Sequence, residues 1–221
     1  MKVLKKSVKE QVLDQLREEI LNQTYPLGSR VNLDELRREY GVSNTPLREA
    51  IGVLVGEGLL EYRRNAGVFV VSPSREACFQ LAQFVLFLMH SAYDYCVECG
   101  DLAGLLERMQ RELDEQAEYV KQNDIYHYAL CSNRFDRCII DWTQNDYLIK
   151  SYDQNFNLLT LLNAEYASQD LGSMRIFYEQ HVRILEAMRA GARERVHRLL
   201  KEHYYKKEWL PLKEQQADRG T

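Results

Sequence analysis

The sequence predicts a mainly α-helical protein in two parts: an N-terminal winged helix-turn-helix with a small β-hairpin wing, and a C-terminal antiparallel all-α helical bundle. Apolar residues recur at helical spacing along most of the chain. The spacing changes to two only between residues 59 and 71, where β-branched and aromatic residues surround an Asn/Gly turn. A Ser-Pro-Ser segment at 72–74 then precedes further helical patterns. We therefore expect two domains, 1–73 and 74–221.

Charge is unevenly divided between these two parts. Residues 1–73 contain 11 Lys and Arg and 10 Asp and Glu, whereas the remaining residues contain 18 and 23, for a formal net charge of −4. The N-terminal part is the one that can approach nucleic acid. No apolar run is long enough to span a membrane, and the first residues lack the apolar core of a signal peptide. We expect a soluble, cytoplasmic protein that does not contact membranes.

Five cysteines form no regular disulfide framework, which favours reduced thiols in the helical core. Cys96 and Cys99 make a single Cys-x-x-Cys pair. A structural zinc site of this type needs a second pair, and the sequence does not supply one.

The first two helices have clear start signals. Ser7 and Glu10 have the spacing of a capping box, and the helix that follows should end before the break at residues 25–28. Asn32 opens a second helix of about two turns, which should end at Gly41. A short helix, a glycine turn and a third helix form the arrangement of a helix-turn-helix.

The third helix is predicted within residues 42–60 and is the candidate DNA-reading helix. Ser43 and Thr45 can cap its start, and Pro46 is acceptable only in a first turn. One face is an apolar stripe of Leu47, Ala50, Ile51, Leu54 and Val55. The polar residues Asn44, Thr45 and Arg48 lie opposite, near the helix N-terminus, where recognition helices meet base edges and phosphates.

The predicted hairpin adds a second candidate DNA contact. Arg63 and Arg64 stand at its base and Gly67 near its tip, where charge and bare backbone can approach phosphates or a minor groove. A solvated hairpin tip explains the same residues.

The first 73 residues resemble the GntR family of bacterial transcription regulators. The resemblance rests on residues 26–30, 34–36, 41–51, 57–59 and 65–70, in the family's order and spacing. It implies a winged helix-turn-helix in which Ser43, Asn44, Thr45, Arg48 and Gly67 lie at the DNA. The family usually has Arg where this sequence has Asn44. Because Arg favours guanine and Asn favours adenine, we expect the operator's core bases to differ.

The C-terminal part contains only helical patterns. After a helix capped by Ser74 and one beginning near Asp101, further helices are expected at roughly 124–140, 146–166, 173–190 and 192–208. A bundle of this kind commonly encloses a ligand cavity.

This part resembles the FCD ligand-binding domain of the FadR subfamily. The resemblance rests on residues 179–191, Val196 and 199–203. Many FCD domains bind a divalent metal through an Asp and a His on one helix and two His on later helices. The later pair corresponds to His181 and His203, but the first pair has become Ser132 and Asp136.

Two interpretations of these residues remain open. Asp136, His181 and His203 can form a site with two histidines and one carboxylate, which suits zinc, nickel or manganese and leaves positions for an effector. Alternatively, they are core residues that hydrogen-bond one another. The other three histidines, His90, His127 and His197, are expected to be structural or exposed.

A further departure concerns the effector pocket, in which we place Ser132, Val85 and Met89. The first FCD helix often has an Arg four residues before a Glu, and this sequence has Val85 and Met89 there. A cavity with these residues favours a more apolar ligand over a small organic acid, although core packing also explains them.

Two functions follow from these patterns. The first is a homodimeric, effector-responsive regulator that binds an inverted-repeat operator in double-stranded DNA, because one short helix reads only a few base pairs. The second is a metal-dependent enzyme using Asp136, His181 and His203. The sequence has no nucleophile motif or phosphate-binding loop, so a protein without enzymatic activity is expected.

Overall fold

A computed structural model describes residues 6–169 and 172–205. The described residues divide into two compact units. The first comprises the N-terminal region to Ser72 together with Gln154–Tyr166, and the second comprises Pro73–Asp153 and the region from Ala167 onward. The helical architecture with one small antiparallel sheet confirms the predicted fold class.

The first unit follows the predicted order of a winged helix-turn-helix. Its elements are α1 (Val8–Leu21), β1 (Arg30–Val31), α2 (Leu33–Tyr40), α3 (Asn44–Gly56), β2 (Leu60–Arg63) and β3 (Gly67–Val70). The Ser7 hydroxyl accepts from the Glu10 amide, and the Glu10 carboxylate accepts from the Ser7 amide, so α1 begins with the predicted capping box. The Asn32 side chain caps α2, which ends at Gly41 with a left-handed φ of 64°.

The wing has one strand more than the sequence predicts. The sheet order is β1-β3-β2, with both pairs antiparallel, and Arg30 lies opposite Phe69 in the register. β1 contains only two residues, which is too short to give a periodic pattern. Its position places Arg30 on the same small sheet as the hairpin.

The core of the first unit joins α1 to α3. Leu16, Ile20, Ile51 and Leu54 are fully buried, which confirms that α3 turns its apolar stripe inward. An ion pair reinforces this packing, because Arg17 donates from Nε and Nη2 to the two Glu57 carboxylate oxygens at 2.9 and 2.6 Å. The far end of α3 is thereby fixed, and its N-terminus lies on the surface.

The second unit is a helical bundle. Its helices are α4 (Arg75–Cys99), α5 (Ala103–Gln122), α6 (Ile125–Trp142), α7 (Asp146–Gln169), α8 (Gly172–Arg189) and α9 (Arg193–Tyr204). Gln154–Tyr166 of α7 belong to the first unit, where Asn157 donates to Glu57 at 2.9 Å. No helix in the described ranges is long and apolar enough to cross a membrane.

Capping hydrogen bonds and one close contact between helices stabilise the bundle. The Ser74 hydroxyl caps α4, as predicted, and the Asp101 carboxylate accepts from the Ala103 amide at the start of α5. α5 packs closely on α6 because Gly104 has no side chain, and a Cβ there would lie 2.7 Å from the Trp142 ring. None of the cysteines forms a disulfide in the described structure, and the Cys96 thiol donates to the Ile139 carbonyl.

Candidate metal centre and DNA-facing surface

The N-terminus of α3 presents the polar group that the sequence predicts. Ser43, Asn44, Thr45 and Arg48 are all exposed. Ser43 is the N-cap residue, but its hydroxyl makes no capping hydrogen bond, contrary to the prediction that it caps the helix through its side chain. No described acidic group pairs with Arg48, and its guanidinium is available to a phosphate or a base. The arrangement is a short polar surface at a positive helix end.

The two wing arginines differ in their surroundings. Arg63 donates to the Glu61 carboxylate at 2.8 Å and lies 4.2 Å from the centre of the Phe69 ring. Arg64 lies in the exposed turn between β2 and β3, so the prediction that it stands at the base of the hairpin is wrong. Gly67 follows this turn, and its φ of 108° favours glycine. Much of the bonding capacity of Arg63 is therefore used within the wing.

Arg30 is a third arginine at this position, and sequence reasoning assigned it no role. Its guanidinium atoms lie 3.5 to 4.0 Å from the place where a Cβ on Gly67 would stand. It is exposed, and none of the described acidic groups forms an ion pair with it. The β1 strand brings it to the wing, and no local pattern in the sequence could have revealed this.

Asp136, His181 and His203 come together in the second unit. They lie on α6, α8 and α9, and all three are buried. One ligand atom from each can be chosen so that all three atoms lie within 4.8 Å of one another. The structure therefore assembles three residues that are far apart in the chain into one potential metal site.

Two glutamine side chains contact the Nδ1 atoms of the histidine rings. Gln116 Oε1 lies 2.8 Å from His181 Nδ1, and Gln180 Oε1 lies 2.8 Å from His203 Nδ1. The Gln116 amide nitrogen donates to the Cys131 carbonyl, which fixes its oxygen toward the ring. An amide oxygen only accepts, so the Gln116 contact places the proton on Nδ1 of His181, and the Gln180 oxygen in this orientation does the same for His203. Each Nε2 then presents a lone pair.

These lone pairs are directed at one another. The His181 and His203 Nε2 atoms are 3.3 Å apart. Two neutral rings in these tautomers repel across that distance unless a cation or a shared proton lies between them. Ligands about 2.0 to 2.1 Å from a tetrahedral zinc ion stand about 3.3 to 3.4 Å from each other, so the spacing fits one ion.

Asp136 supplies the third donor in a dry environment. The Tyr204 hydroxyl donates to Asp136 Oδ2, whereas the buried Oδ1 has no hydrogen-bond partner among the described atoms. Burial raises the pKa of Asp136 to about 7, and the hydrogen bond from Tyr204 opposes this increase. A buried carboxylate oxygen without a hydrogen-bond partner is able to bind a metal ion.

Aromatic side chains pack against both histidine rings. Phe135 stacks on His181 with ring centres 4.3 Å apart, and Phe177 meets His203 edge-on at 5.8 Å. The buried Ser132 lies near the Tyr128 phenol and is not among the three clustered metal donors. Val85 and Met89 are buried on the inner face of α4.

A second cluster of metal-ligand types has a different explanation. Glu112, Glu115 and Cys131 also lie within ligand distance of one another. Arg134 already occupies their centre, donating to Glu112 at 2.8 Å, to Glu115 at 2.7 Å and to the Cys131 sulfur. A guanidinium in this position supplies the positive charge that a metal would bring.

The remaining histidines have local roles, as the sequence predicts. His127 bonds to the Asp124 carboxylate at the start of α6, and His197 bonds to Asp94. The His90 ring faces the His197 carbonyl, and burial lowers the pKa of His90.

Comparison with known families identifies both units. Residues 8–70 match the family described as bacterial regulatory proteins, gntR family, and residues 95–206 match the FCD domain. The chain belongs to the GntR family. Its FCD domain fits the FadR subfamily, as the sequence predicts.

Individual relatives agree with this assignment. The chain is 28% identical over 140 residues to the HTH-type transcriptional regulator YdhC of Bacillus subtilis, covering 62% of each protein, which is under two thirds of that relative. It is 27% identical over 208 residues to a protein of Paenarthrobacter nicotinovorans named "Probable D-xylose utilization operon transcriptional repressor", covering 89% of this chain and 85% of that one.

A solved structure shares the fold. A protein from Rhodococcus sp. RHA1 described as a GntR transcriptional regulator has a TM-score of 0.76 at 22% identity, covering 92% of this chain and 96% of its own. The GntR family and these named relatives are transcriptional regulators and not enzymes. The metal-enzyme alternative therefore receives no support.

Proposed function

We propose that this GntR-family chain is an effector-responsive regulator that binds an inverted-repeat operator as a homodimer. Residues 1–73 would bind DNA, and 74–221 would bind the effector and dimerise. The observation that carries the proposal is the polar group at the N-terminus of α3, where Ser43, Asn44, Thr45 and Arg48 are exposed. The opposite face buries Leu47, Ala50, Ile51 and Leu54. A helix N-terminus of this kind suits the major groove, with its amides toward phosphates.

Base readout would come from two side chains on this surface. Asn44 can bond an adenine edge in two places, and Arg48 can bond a guanine edge or a phosphate. An operator selected by this chain should therefore contain an adenine at the position that Asn44 reads. Asn44→Arg should shift the preference at that position to guanine, which selection from a random duplex pool would measure.

The wing would contact the DNA backbone or the minor groove. Arg64 and Gly67 lie at its tip, and Arg30 lies beside Gly67. We assign the principal wing charge to Arg30 together with Arg64. Arg63 contributes less, because Glu61 and Phe69 engage its guanidinium.

A single divalent ion would be held by Asp136, His181 and His203. The facing Nε2 atoms and the unpartnered Asp136 Oδ1 support this assignment, and Gln116 and Gln180 would set the tautomers of the two rings. Zinc, nickel and manganese all accept such donors. When bound, the ion would offer open positions to an oxygen or nitrogen of the effector.

The effector is proposed to bind beside this ion. Ser132 is buried on α6, one helical turn before Asp136, and Val85 and Met89 are buried on α4. Apolar residues at these α4 positions favour a ligand with an apolar part over a small, highly charged organic acid.

Two experiments test the proposed function. Footprinting on the DNA upstream of the chain's own gene should show protection of two half-sites about one helical turn apart. Elemental analysis after purification without chelator, from cells supplied with zinc, nickel and manganese, should show about one ion per chain. Protection without two-fold symmetry would contradict the proposed dimeric binding to an inverted repeat. Substoichiometric metal would contradict the proposed metal site and would make the histidines core residues that share a proton.

A further inference from the structure

One face of α4 is apolar and exposed. Phe84, Phe87, Leu88, Ser91 and Tyr95 follow the i, i+3, i+4, i+7 and i+11 spacing of a single helix face. Phe87 is 61% exposed and Tyr95 is 51% exposed. No Asp, Glu, Lys or Arg occurs between Glu76 and Asp94, so this part of α4 can lose water without burying one of these charges. Below, these five residues are called the α4 face.

We infer that the α4 face is the centre of a two-fold interface with a second copy of this chain, the two α4 helices packing antiparallel. The inference rests on the proposed dimeric function and names the surface that makes the dimer. Large exposed aromatic side chains beside a helix segment without charged residues are typical of the core of such an interface.

The spacing of the α4 face matches a two-fold axis. Phe84 and Leu88 are four residues apart, and so are Ser91 and Tyr95. An axis midway between Leu88 and Ser91 therefore sets Phe84 of one copy against Tyr95 of the other, and Leu88 against Ser91. A large residue meets a large one at each end, and the small Ser91 lets the helices approach closely at the centre.

Charge at the ends of α4 also suits an antiparallel pair. Arg75 is exposed at the N-terminus, and Asp101 is exposed just beyond the C-terminus. The same axis brings Arg75 of one copy within about three residues of Asp101 of the other, roughly 4.5 Å along the helix. Glu98, the other acid at this end, is paired with Arg193 within its own copy. Opposite charges thus meet at both ends of the interface.

The available area is of the right order. An aromatic side chain buries about 150 to 250 Å², so Phe87 and Tyr95 together expose roughly 200 Å² per copy. A standard interface buries about 800 Å² per partner. Two side chains thus supply about a quarter of it, as expected of central anchors. The rest of the 25-residue helix and its neighbours would complete the interface.

Charge substitution on and off the α4 face tests the inference. Phe87→Glu and Tyr95→Glu should each raise the dimer dissociation constant at least about thirtyfold, measured by sedimentation on the full chain. Tyr147→Glu and Ile176→Glu are matched controls, because these residues are 85% and 54% exposed on other helices. The controls should remain dimers, and circular dichroism should show all four variants folded.

A cross-link gives a second readout that does not depend on weakening the dimer. Ser91→Cys, in a chain that also carries Cys99→Ser, should be joined to a second copy by a short bis-maleimide. Dimers unaffected by both charge variants, or a dimeric Ser91→Cys chain that does not cross-link, would overturn the α4 interface alone. A wild-type chain that is monomeric at micromolar concentration would overturn the proposed dimeric function as well.

Discussion

His181 and His203 face each other through their Nε2 atoms at 3.3 Å, and a glutamine oxygen holds the opposite nitrogen of each ring. With both Nδ1 atoms protonated, the two neutral rings repel each other, whereas a cation between the Nε2 atoms stabilises both. The buried Asp136 adds the negative charge that a divalent ion needs. These contacts support the proposed divalent ion at this site.

Removing either histidine should remove the ion. We expect His181→Ala and His203→Ala to purify without metal and to melt at a temperature that added chelator does not change. In the wild type, chelation should lower the free energy of unfolding by roughly 2.7 kcal/mol relative to metal at a hundredfold excess over Kd. Ser132→Ala and the exposed His127→Ala are the controls and should keep the ion. A chelator-sensitive His181→Ala chain would contradict the assignment.

The glutamine behind His181 should affect metal affinity without touching the ion. Gln116→Leu removes the acceptor for the Nδ1 proton, so the other tautomer becomes accessible and the Nε2 lone pair is lost from the site. We expect metal affinity to fall by about 10 to 100-fold in competition with a fluorescent chelator. Gln116→Glu keeps an acceptor oxygen and should retain more affinity than Gln116→Leu. Equal affinities in all three chains would show that the glutamine only fills space.

Asp136→Asn should have opposite effects with and without metal. The folded-state pKa of Asp136, about 7, lies above the ordinary value of 3.8, so the folded, metal-free protein binds a proton more readily than the unfolded chain. Its stability therefore falls as pH rises from about 4 to about 7, and the deficit persists above pH 7.

An uncharged amide at position 136 should abolish the loss of stability that ionisation of Asp136 causes in the metal-free protein. At pH 8 with chelator, we expect Asp136→Asn to melt at a higher temperature than the wild type, whereas with excess zinc the order should reverse. Differential scanning calorimetry at pH 5 and pH 8 would measure both. A variant less stable than the wild type in chelator at pH 8 would show that Asp136 is not a destabilising buried charge.

The wing arginines should differ in their effects on DNA binding. We expect Arg30→Gln to weaken operator binding about equally across sequences and to reduce the slope of log affinity against log salt by about one, as for a lost phosphate contact. Arg63→Gln should have a smaller effect, because Glu61 already pairs with its charge. Arg198→Gln, on an exposed surface of α9, is the control. If Arg63→Gln weakened operator binding more than Arg30→Gln, the principal wing charge would belong to Arg63 and not to Arg30.

The predictions that succeeded depend on local signals. The Ser7 and Glu10 box, the Asn32 cap and the stripe of α3 involve residues within one or two turns of each other, so the sequence shows them directly. The resemblance to the FCD domain brought Asp136, His181 and His203 to attention, although periodicity alone shows only inward-facing residues.

The features that sequence reasoning missed depend on distant partners. Gln116 bonds His181 from 65 positions away, and Tyr204 bonds Asp136 from 68. Arg30 reaches the wing through a two-residue strand. Such partners have no periodic or spacing signal, because tertiary packing alone brings them together.

The most direct test of the account is a fluorescence-anisotropy titration of the upstream duplex with wild type and Arg48→Ala. We expect specific, salt-dependent binding by the wild type and a loss of about 1 to 3 kcal/mol in Arg48→Ala, with circular dichroism unchanged. Arg48 lies off the buried stripe, so the fold should survive the change. Equal wild-type affinity for the upstream duplex and a scrambled one, or unchanged affinity in Arg48→Ala, would contradict a reading of DNA by α3.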